Sequence, residues 1–483
     1  MLSHPENYLE KLSPEKLSRI LDGSLWLLEK TGLQVLDEKL WELVKAKAGE
    51  GVFPGEDGRL RLKPEAAMAL IAKAPAEWKH LARKKGDSVT FGGRNLCVAP
   101  GYGSVFMADA QGRRREATFN DYVRLTRLSQ ASPMIDLCSA ISVEPSDVPL
   151  EKRPETMTAA LLLNSDKPIM GAVTGAEGAA KSFAAAEIVL GDITDKPWLL
   201  GLININSPLR LDERMGGALR VYLEKGQPVI FTPGATMGVT GPATVAGNMA
   251  QSYADLIGAT ALCQIVKPGH PVIVGNGGFG GNLHTGSPGY GRPENSLASI
   301  VGGQIARKLK LPYRCSAAVT SSMIPDGRAQ LEHAVTAAGA WAGGANLALQ
   351  AAGILDSINA MNLEQFVIDL EMWGYYERLS RPIEIDDELL ALELIAEAPA
   401  SYMASPHTLK HFKREIYEPI FGKPQKPESI REIGELARER LAKIESVSPD
   451  IEPIDPGALS ALKQFLIGND PSFAAFVNKH FPK

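Results

Sequence analysis

Two patterns of apolar residues alternate through the middle of the chain. Short, wholly apolar runs bounded by glycine or proline are typical of strands that are covered on both faces of a parallel sheet. Longer segments with an apolar residue at every third or fourth position predict helices. The first pattern predicts seven strands, at residues 135–143, 169–174, 199–205, 229–232, 272–276, 313–318 and 347–351.

A helix is predicted before each of these strands. The helices span residues 119–130, 155–163, 179–190, 212–224, 246–265, 294–309 and 329–341. Helices that alternate with strands indicate a parallel sheet with right-handed crossovers. Because seven or eight such units follow in one run, the sequence predicts an α/β fold that closes as a (β/α)8 TIM-type barrel. The candidate for the eighth strand is Ile383-Glu384-Ile385.

The two ends of the chain follow other patterns and predict a division into three parts. Residues 1–117 are predicted to form an N-terminal helical cap with small strands, and residues 118–400 the barrel. Residues 401–483 are predicted to form a C-terminal helical extension with proline-rich connectors. A chain of 483 residues is long enough for a large core and one or two domains.

Two glycine-rich stretches follow successive predicted strands, at residues 234–242 and 277–291. Pro242 is expected to begin the helix after the first stretch, since proline fits the first helical position. In parallel α/β folds, ligands bind at the loops beyond the carboxyl ends of the strands. Tight turns alone would explain either stretch, whereas the two together predict the mouth of a ligand site.

The composition excludes several classes of function. The formal net charge is −5, so no excess of basic residues indicates a nucleic-acid partner. No apolar run is long enough to span a bilayer, and no signal peptide is recognisable. The four cysteines are widely spaced, and three of them lie in apolar runs, which is typical of buried thiols in a reducing compartment. A cytoplasmic protein is therefore predicted.

The familiar cofactor and metal motifs are incomplete in this sequence. The glycines of residues 234–242 do not have the spacing of a dinucleotide fingerprint. His407 and His411 are four residues apart, as in a metal pair, but the glutamate of a zinc protease helix is missing. Pro406 before them indicates a helix start, so capping and packing are the expected roles. No metal site is predicted.

Seven sequence blocks lie in order at residues 238–255, 264–275, 311–314, 320–332, 342–346, 353–356 and 367–371. Together they make nearly the whole chain resemble the trimethylamine methyltransferase family. The resemblance implies a barrel enzyme that moves a methyl group from an amine to cobalt, and it also implies a homo-oligomer. The methyl acceptor would be the cobalamin of a separate corrinoid protein, so no permanently bound cofactor is expected.

One block departs from the family members that act on trimethylamine. Those members carry pyrrolysine after the sixth predicted strand, and here that position falls at or beside Met323, between Ser322 and Pro325. An ordinary residue there resembles the branch that acts on quaternary amines, among which glycine betaine is favoured. Carnitine, proline betaine or trimethylamine as methyl donor stay open as alternatives, as does a betaine-binding protein without catalytic activity.

The family resemblance and the positions near strand ends give a set of candidate site residues. Glu332 and Met323 are the catalytic candidates; for Glu332 a pair with Arg314 or Arg328 is the alternative, and for Met323 simple packing. Aromatic faces suit a quaternary ammonium, and arginine offers a carboxylate two parallel hydrogen bonds. The candidates for substrate binding are Tyr102, Asn206, Asn276, Phe279, His284 and Arg314.

Overall fold

The fold is described from a computed structural model that covers residues 1–4, 7–277, 279–421, 431–468 and 470–481. Small parts of the predicted cap, the second glycine-rich stretch and the extension lie outside the described residues. These parts are residues 5–6, 278, 422–430, 469 and 482–483.

A curled sheet of eight strands lies at the centre of the described chain, and all of its pairs are parallel except the first. Its strands, in spatial order, are Leu2–Ser3, Asn95–Val98, Leu347–Leu349, Tyr313–Ser316, Val272–Gly275, Val229–Pro233, Leu199–Ile205 and Ile169–Met170. The helices between the strands pack on its outer side. This arrangement is that of an α/β barrel.

The helices that alternate with the central strands confirm the sequence prediction to within a few residues. They are Phe119–Ala131, Arg153–Asn164, Gly175–Leu190, Glu213–Lys225, Val245–Val266, Pro293–Leu309 and Gly327–Gly343. A further helix, Leu363–Ser380, was not among the seven predicted. Local signals set their ends: Thr118 and Asp121 form a capping box, and the Asp326 carboxylate accepts a hydrogen bond from the Ala329 amide. The expected start at Pro242 is wrong, because Thr244 caps the helix that begins at Val245.

Outside the central sheet, the structure adds short strands and further helices. The N-terminal helices are Pro14–Lys30, Glu38–Lys47 and Pro64–Ile71, and the C-terminal ones are Asp387–Leu390, Leu392–Ala396, Pro406–Glu415, Ile433–Glu445, Pro456–Ile467 and Ala474–His480. Four small sheets lie beside the central one. The first contains Arg210–Leu211, Leu33–Val35, Arg59–Leu62 and Val52–Pro54, and the second contains Thr236–Met237, Phe279–Gly281 and Pro288–Gly289. The third contains Ile354–Leu355, Ala360–Met361, Phe106–Ala108 and Arg114–Glu116, and the fourth pairs Trp78–His80 with Val89–Phe91. The division into three parts stays a prediction.

The predicted eighth strand is wrong. Residues 383–385 form no strand, and Ile383 is 87% exposed. A strand that the sequence analysis assigned to the cap, Asn95–Val98, pairs in parallel with Leu347–Leu349 instead. Cys97 and Val98 are fully buried there, whereas nothing in the described chain covers Ile383. Burial on both faces therefore distinguishes the true strand from the false one.

The first predicted strand, residues 135–143, is not formed as a continuous strand. Only isolated bridges are formed in it, by Cys138 with Ile169 and by Val143 with Ser104. Its beginning nevertheless lies between Asn95–Val98 and Ile169–Met170. The Asp136 amide donates to the Val98 carbonyl at 2.8 Å, and the Cys138 amide donates to the Pro168 carbonyl at 2.9 Å.

Apolar side chains fill the interior of the curled sheet up to its carboxyl end. This buried cluster includes Cys97, Leu137, Met170, Leu200, Leu202, Ile230, Ile273, Leu347 and Leu349. Among the described residues, no helix combines the length and apolar character that crossing a bilayer requires.

Candidate functional site

A cavity of about 250 Å³ opens where the carboxyl ends of the central strands converge. Leu202 forms part of its apolar wall, and the polar side chains of Asn204, Thr232 and Gln350 line it further out. Larger cavities exist, one of about 490 Å³ beside residues 444–451 and one of about 280 Å³ beside Met1, Ile135 and Asp136, but neither lies at the carboxyl ends of the strands. The position at the strand ends makes the smaller cavity the candidate active site.

The cationic group of this cavity is Arg314, on the strand Tyr313–Ser316. Its residue is 1% exposed, and one Nη donates to the Gln350 side-chain oxygen at 2.5 Å. Within the described chain, its Nε has no hydrogen-bond partner and no carboxylate lies within ion-pair distance. Burial lowers the pKa of Arg314, although arginine keeps its charge in proteins. A buried cation without a counterion is suited to bind an anionic group of a ligand.

Aromatic side chains form another part of the wall of the same cavity. The rings of Phe279 and Tyr290 meet edge to face, with centroids 4.8 Å apart. Tyr102 adds a third ring from the loop after Asn95–Val98, and burial raises the pKa of its hydroxyl, so that it stays neutral. Aromatic faces attract cations, most strongly where water is excluded. The cavity thus combines sites for a cation and for an anion.

The two glycine-rich stretches build one structure over the cavity. Thr236–Met237 of the first pairs in parallel with Phe279–Gly280 of the second, which in turn pairs with Pro288–Gly289. A side chain at Gly281 would place its Cβ 2.2 Å from the Met237 carbonyl oxygen, so only glycine permits this approach. The pairing fixes the position of Phe279.

We expect Gly241→Val to lower activity more than stability. The Gly241 amide donates to the Thr236 carbonyl, and a Cβ on Gly241 would lie 2.6 Å from the Asn248 side-chain nitrogen. The substitution must shift this turn, and with it the small sheet that holds Phe279. Turnover and thermal unfolding should be measured together, with Gly434→Val on a remote helix as the control. Full activity of Gly241→Val would contradict a role for the turn in the site.

Three of the residues predicted to bind substrate come together in the cavity: Tyr102, Phe279 and Arg314. The other predicted residues do not line it. Asn206 is exposed and its amide donates to Asp212, while His284 is exposed in the second glycine-rich stretch.

Asn276 lies behind the strand end rather than in the cavity. It is fully buried, and its side-chain amide donates to the side chains of Asn295 and Ser299 at 3.2 and 3.3 Å. This position gives it contacts with the next helix. The substrate-binding roles given to Asn206, Asn276 and His284 stay predictions without support from their positions.

Glu332, a predicted catalytic residue, holds the loop that follows the strand Tyr313–Ser316. Its carboxylate accepts hydrogen bonds from the Thr320 hydroxyl at 2.6 Å and the Ser321 amide at 2.9 Å. It also pairs with Arg328 at 2.7 Å, the alternative that the sequence allowed. Burial alone would raise the pKa of Glu332, but the bonds from Thr320 and Arg328 outweigh it and lower that pKa. Through these contacts Glu332 holds the loop in place.

Met323, the other predicted catalytic residue, lies in that loop and is 45% exposed. The loop packs against the hairpin that joins Phe106–Ala108 to Arg114–Glu116. A Cβ on Gly112, at the tip of this hairpin, would meet Ile324 and Met323. Met323 does not line the cavity, and its catalytic role stays a prediction.

Gln350 and Asn204 line the cavity but were missed by the sequence analysis. Each is a polar residue at the end of an otherwise apolar strand, Leu347–Leu349 and Leu199–Ile205 respectively. That interruption of an apolar run was the available signal.

Histidine and acidic residues do not gather at this cavity. In the described part of the chain, no group of three or more His, Cys, Asp or Glu side chains could hold a metal ion. His407 and His411 lie in the helix Pro406–Glu415, which Ser405 caps, and their ring nitrogens contact Glu388.

Comparisons with known proteins show which family and which fold the chain resembles. Residues 1–467 match the family model described as trimethylamine methyltransferase (MTTB). The chain is 33% identical over 413 residues to a glycine betaine methyltransferase of Desulfitobacterium hafniense (strain Y51), with 84% of this chain and 85% of that protein covered. It is 28% identical over 351 residues to a proline betaine:corrinoid methyltransferase of Eubacterium limosum, covering 68% and 71%. The solved monomethylamine methyltransferase of Methanosarcina barkeri is similar in fold, with a TM-score of 0.54 at 10% identity over 91% of this chain and 89% of that one.

Proposed function

The chain belongs to the trimethylamine methyltransferase family, and from that premise we propose that it moves a methyl group from a quaternary amine to the Co(I) of a separate corrinoid protein. Glycine betaine is the favoured donor. The observation that carries this proposal is the cavity itself, where an aromatic wall faces Arg314, for which the described residues provide no counterion. A betaine carries the two complementary groups, a quaternary ammonium and a carboxylate, in one small molecule.

The reaction requires the protein to position the substrate rather than to transfer a proton. A quaternary ammonium already carries full positive charge, and its product leaves as a neutral tertiary amine, so no general acid is needed. The reduced cobalt of the partner protein supplies the nucleophile. The cavity residues hold the cation and direct one methyl group toward the open mouth, which lowers the barrier by orientation.

In this arrangement Arg314 and the aromatic side chains have separate tasks. The free Nε of Arg314 donates to the carboxylate, while Gln350 fixes the guanidinium through one Nη. Phe279, Tyr290 and Tyr102 surround the ammonium, which cannot donate ordinary N–H hydrogen bonds.

The proposal also rests on a barrel with a single open mouth. We infer a (β/α)8 barrel of the TIM type, with residues 135–138 between Asn95–Val98 and Ile169–Met170. The N-terminal and C-terminal parts act as a cap and an extension. Because the methyl group must meet cobalt directly, the corrinoid protein docks over the mouth.

Four buried, unpaired cysteines support a reducing, cytoplasmic setting.

The cavity also ranks the alternative donors. Trimethylamine has no carboxylate and would leave Arg314 buried without a counterion, which is costly. Proline betaine and carnitine keep both groups and would alter only the shape that the cavity must accept. A non-catalytic betaine-binding protein would bind the same ligands and leave the methyl group in place.

A panel of amines incubated with the Co(I) corrinoid protein tests the proposal, with methylation followed by the change in cobalt absorbance. We expect methylation with glycine betaine and none with trimethylamine. Transfer from trimethylamine without any response to a betaine would refute the donor class. Binding of betaine by calorimetry without methylation would indicate the binding protein instead.

We expect Phe279→Leu to raise the KM for glycine betaine about tenfold, because a cation over an aromatic face in a desolvated site gains about 1–2 kcal/mol. The isostere 3,3-dimethylbutyrate keeps the carboxylate and has carbon in place of the cationic nitrogen, so it should inhibit the variant and the wild type equally well. Leu283→Ala, an exposed change in the same loop, is the control. Equal weakening of betaine and isostere would assign Phe279 a packing role only.

A further inference from the structure

Residues 381–416, here called the arm, differ from the rest of the chain in their exposure. None of them is buried. The arm nevertheless contains three ordered helices, Asp387–Leu390, Leu392–Ala396 and Pro406–Glu415, and side-chain caps at Asp386 and Ser405. Helices of this length are not stable in water without tertiary packing. Something outside the arm must therefore cover it.

The arm exposes the apolar surface that such a cover would bury. Ten large apolar side chains of the arm are exposed, and Ile383, Ile385, Leu392, Met403, Leu409 and Ile416 are the most exposed of them. Burial of one such side chain removes on the order of 100 Å² from water, so the arm offers roughly 1,000 Å². A stable interface needs about 800 Å² from each partner.

The barrel of the same chain does not provide this cover. Within the arm, Glu388 pairs with Lys410, and Glu384 pairs with Arg414. In the described chain, the hydrogen bonds between the arm and the barrel lie at the base of the arm, where Arg378 donates to Glu415 and Arg381 donates to Glu377. Part of the charge of the arm is thus already paired within it, and its exposed apolar side chains remain as surface for an interface.

A second unpartnered apolar face lies on the outside of the barrel, here called the flank. Leu331 and Val335 are one helical turn apart on Gly327–Gly343, and both are exposed. Leu297 on Pro293–Leu309 and Leu379 on Leu363–Ser380 are exposed on the two neighbouring helices. One chain therefore exposes two apolar surfaces, the arm and the flank.

We propose that the arm of each copy packs on the flank of a second copy, and that the two exchanges form a two-fold dimer. A surface and its complement on one chain give a self-complementary interface. The corrinoid protein is not the occupant, because the arm starts at the end of the barrel opposite the mouth. The helix Gly327–Gly343 runs back from the mouth, and Trp341 at its far end donates to the Ser380 hydroxyl, where the arm begins.

Sedimentation of the full chain at micromolar concentration tests the dimer. We expect the wild type above its chain mass of 51.9 kDa, and both the arm variant Ile383→Asp/Met403→Asp and the flank variant Leu331→Asp at the chain mass. Leu150→Asp, a change of an equally exposed leucine elsewhere, should keep the wild-type mass. Circular dichroism melts establish that all variants are folded.

An equal mixture of the arm and flank variants separates arm-on-flank exchange from any other contact. Each mixed dimer restores one intact arm on one intact flank, so we expect a species of dimer mass that neither variant forms alone. A monomeric wild type, or wild-type mass in both variants, would overturn the proposal. Dissociation of the arm variant without rescue in the mixture would overturn the flank as the seat of the arm.

Discussion

Replacing Arg314 by methionine should raise the KM for glycine betaine about a hundredfold, because removing one side of a buried charge pair costs at least 2–5 kcal/mol. Methionine fills similar volume without charge, so the wall of the cavity is retained. Arg314→Lys should lie between wild type and methionine, since lysine keeps the charge and loses the planar fork. Steady-state kinetics of cobalt methylation give the KM of each variant.

A donor without a carboxylate distinguishes substrate binding from structural support by Arg314. Tetramethylammonium carries the quaternary cation alone, so its transfer rate should change little in Arg314→Met. Equal losses with both donors would mean that Arg314 supports the strand end. An unchanged KM for betaine would place the carboxylate elsewhere in the cavity.

Most of the fold could be predicted because its signals are local. The helix Gly175–Leu190 and the strand Leu199–Ile205 each carry their period within a few residues of sequence. The pairing of Asn95–Val98 with Leu347–Leu349 joins segments about 250 residues apart, and no local pattern marks a four-residue strand as part of the barrel. Burial on both faces, which decides its place, is a property of the folded chain.

The site could be predicted in part because position along a parallel strand determines nearness to the mouth. Arg314 was found for this reason, and Phe279 because it begins a glycine-rich loop. Gln350 was missed because an amide side chain after a strand resembles an ordinary loop residue. His284 lies in the same loop as Phe279, but the pairing that fixes Phe279 over the cavity does not include it. Sequence spacing cannot tell these two positions apart.

The second large effect is expected on stability, from a buried polar cluster behind the mouth. The Asp369 carboxylate accepts hydrogen bonds from His333 Nδ1 at 2.6 Å and Gln365 Nε2 at 2.8 Å. Its other oxygen accepts the Gly353 amide at 2.7 Å. His333 and Asp369 are each fully buried, so water cannot replace these partners. The cluster ties two outer helices to the turn that follows Gln350.

We expect Asp369→Ala to lower the free energy of unfolding by about 3–5 kcal/mol, because it leaves several buried donors without an acceptor. Asp369→Asn keeps one acceptor and should lose less. Glu377→Ala removes an exposed pair with Arg381 on the same helix and should cost under about 1 kcal/mol. Urea unfolding followed by circular dichroism measures all three. A loss in Asp369→Ala no larger than in Glu377→Ala would mean that the helices and the turn are held by apolar packing alone.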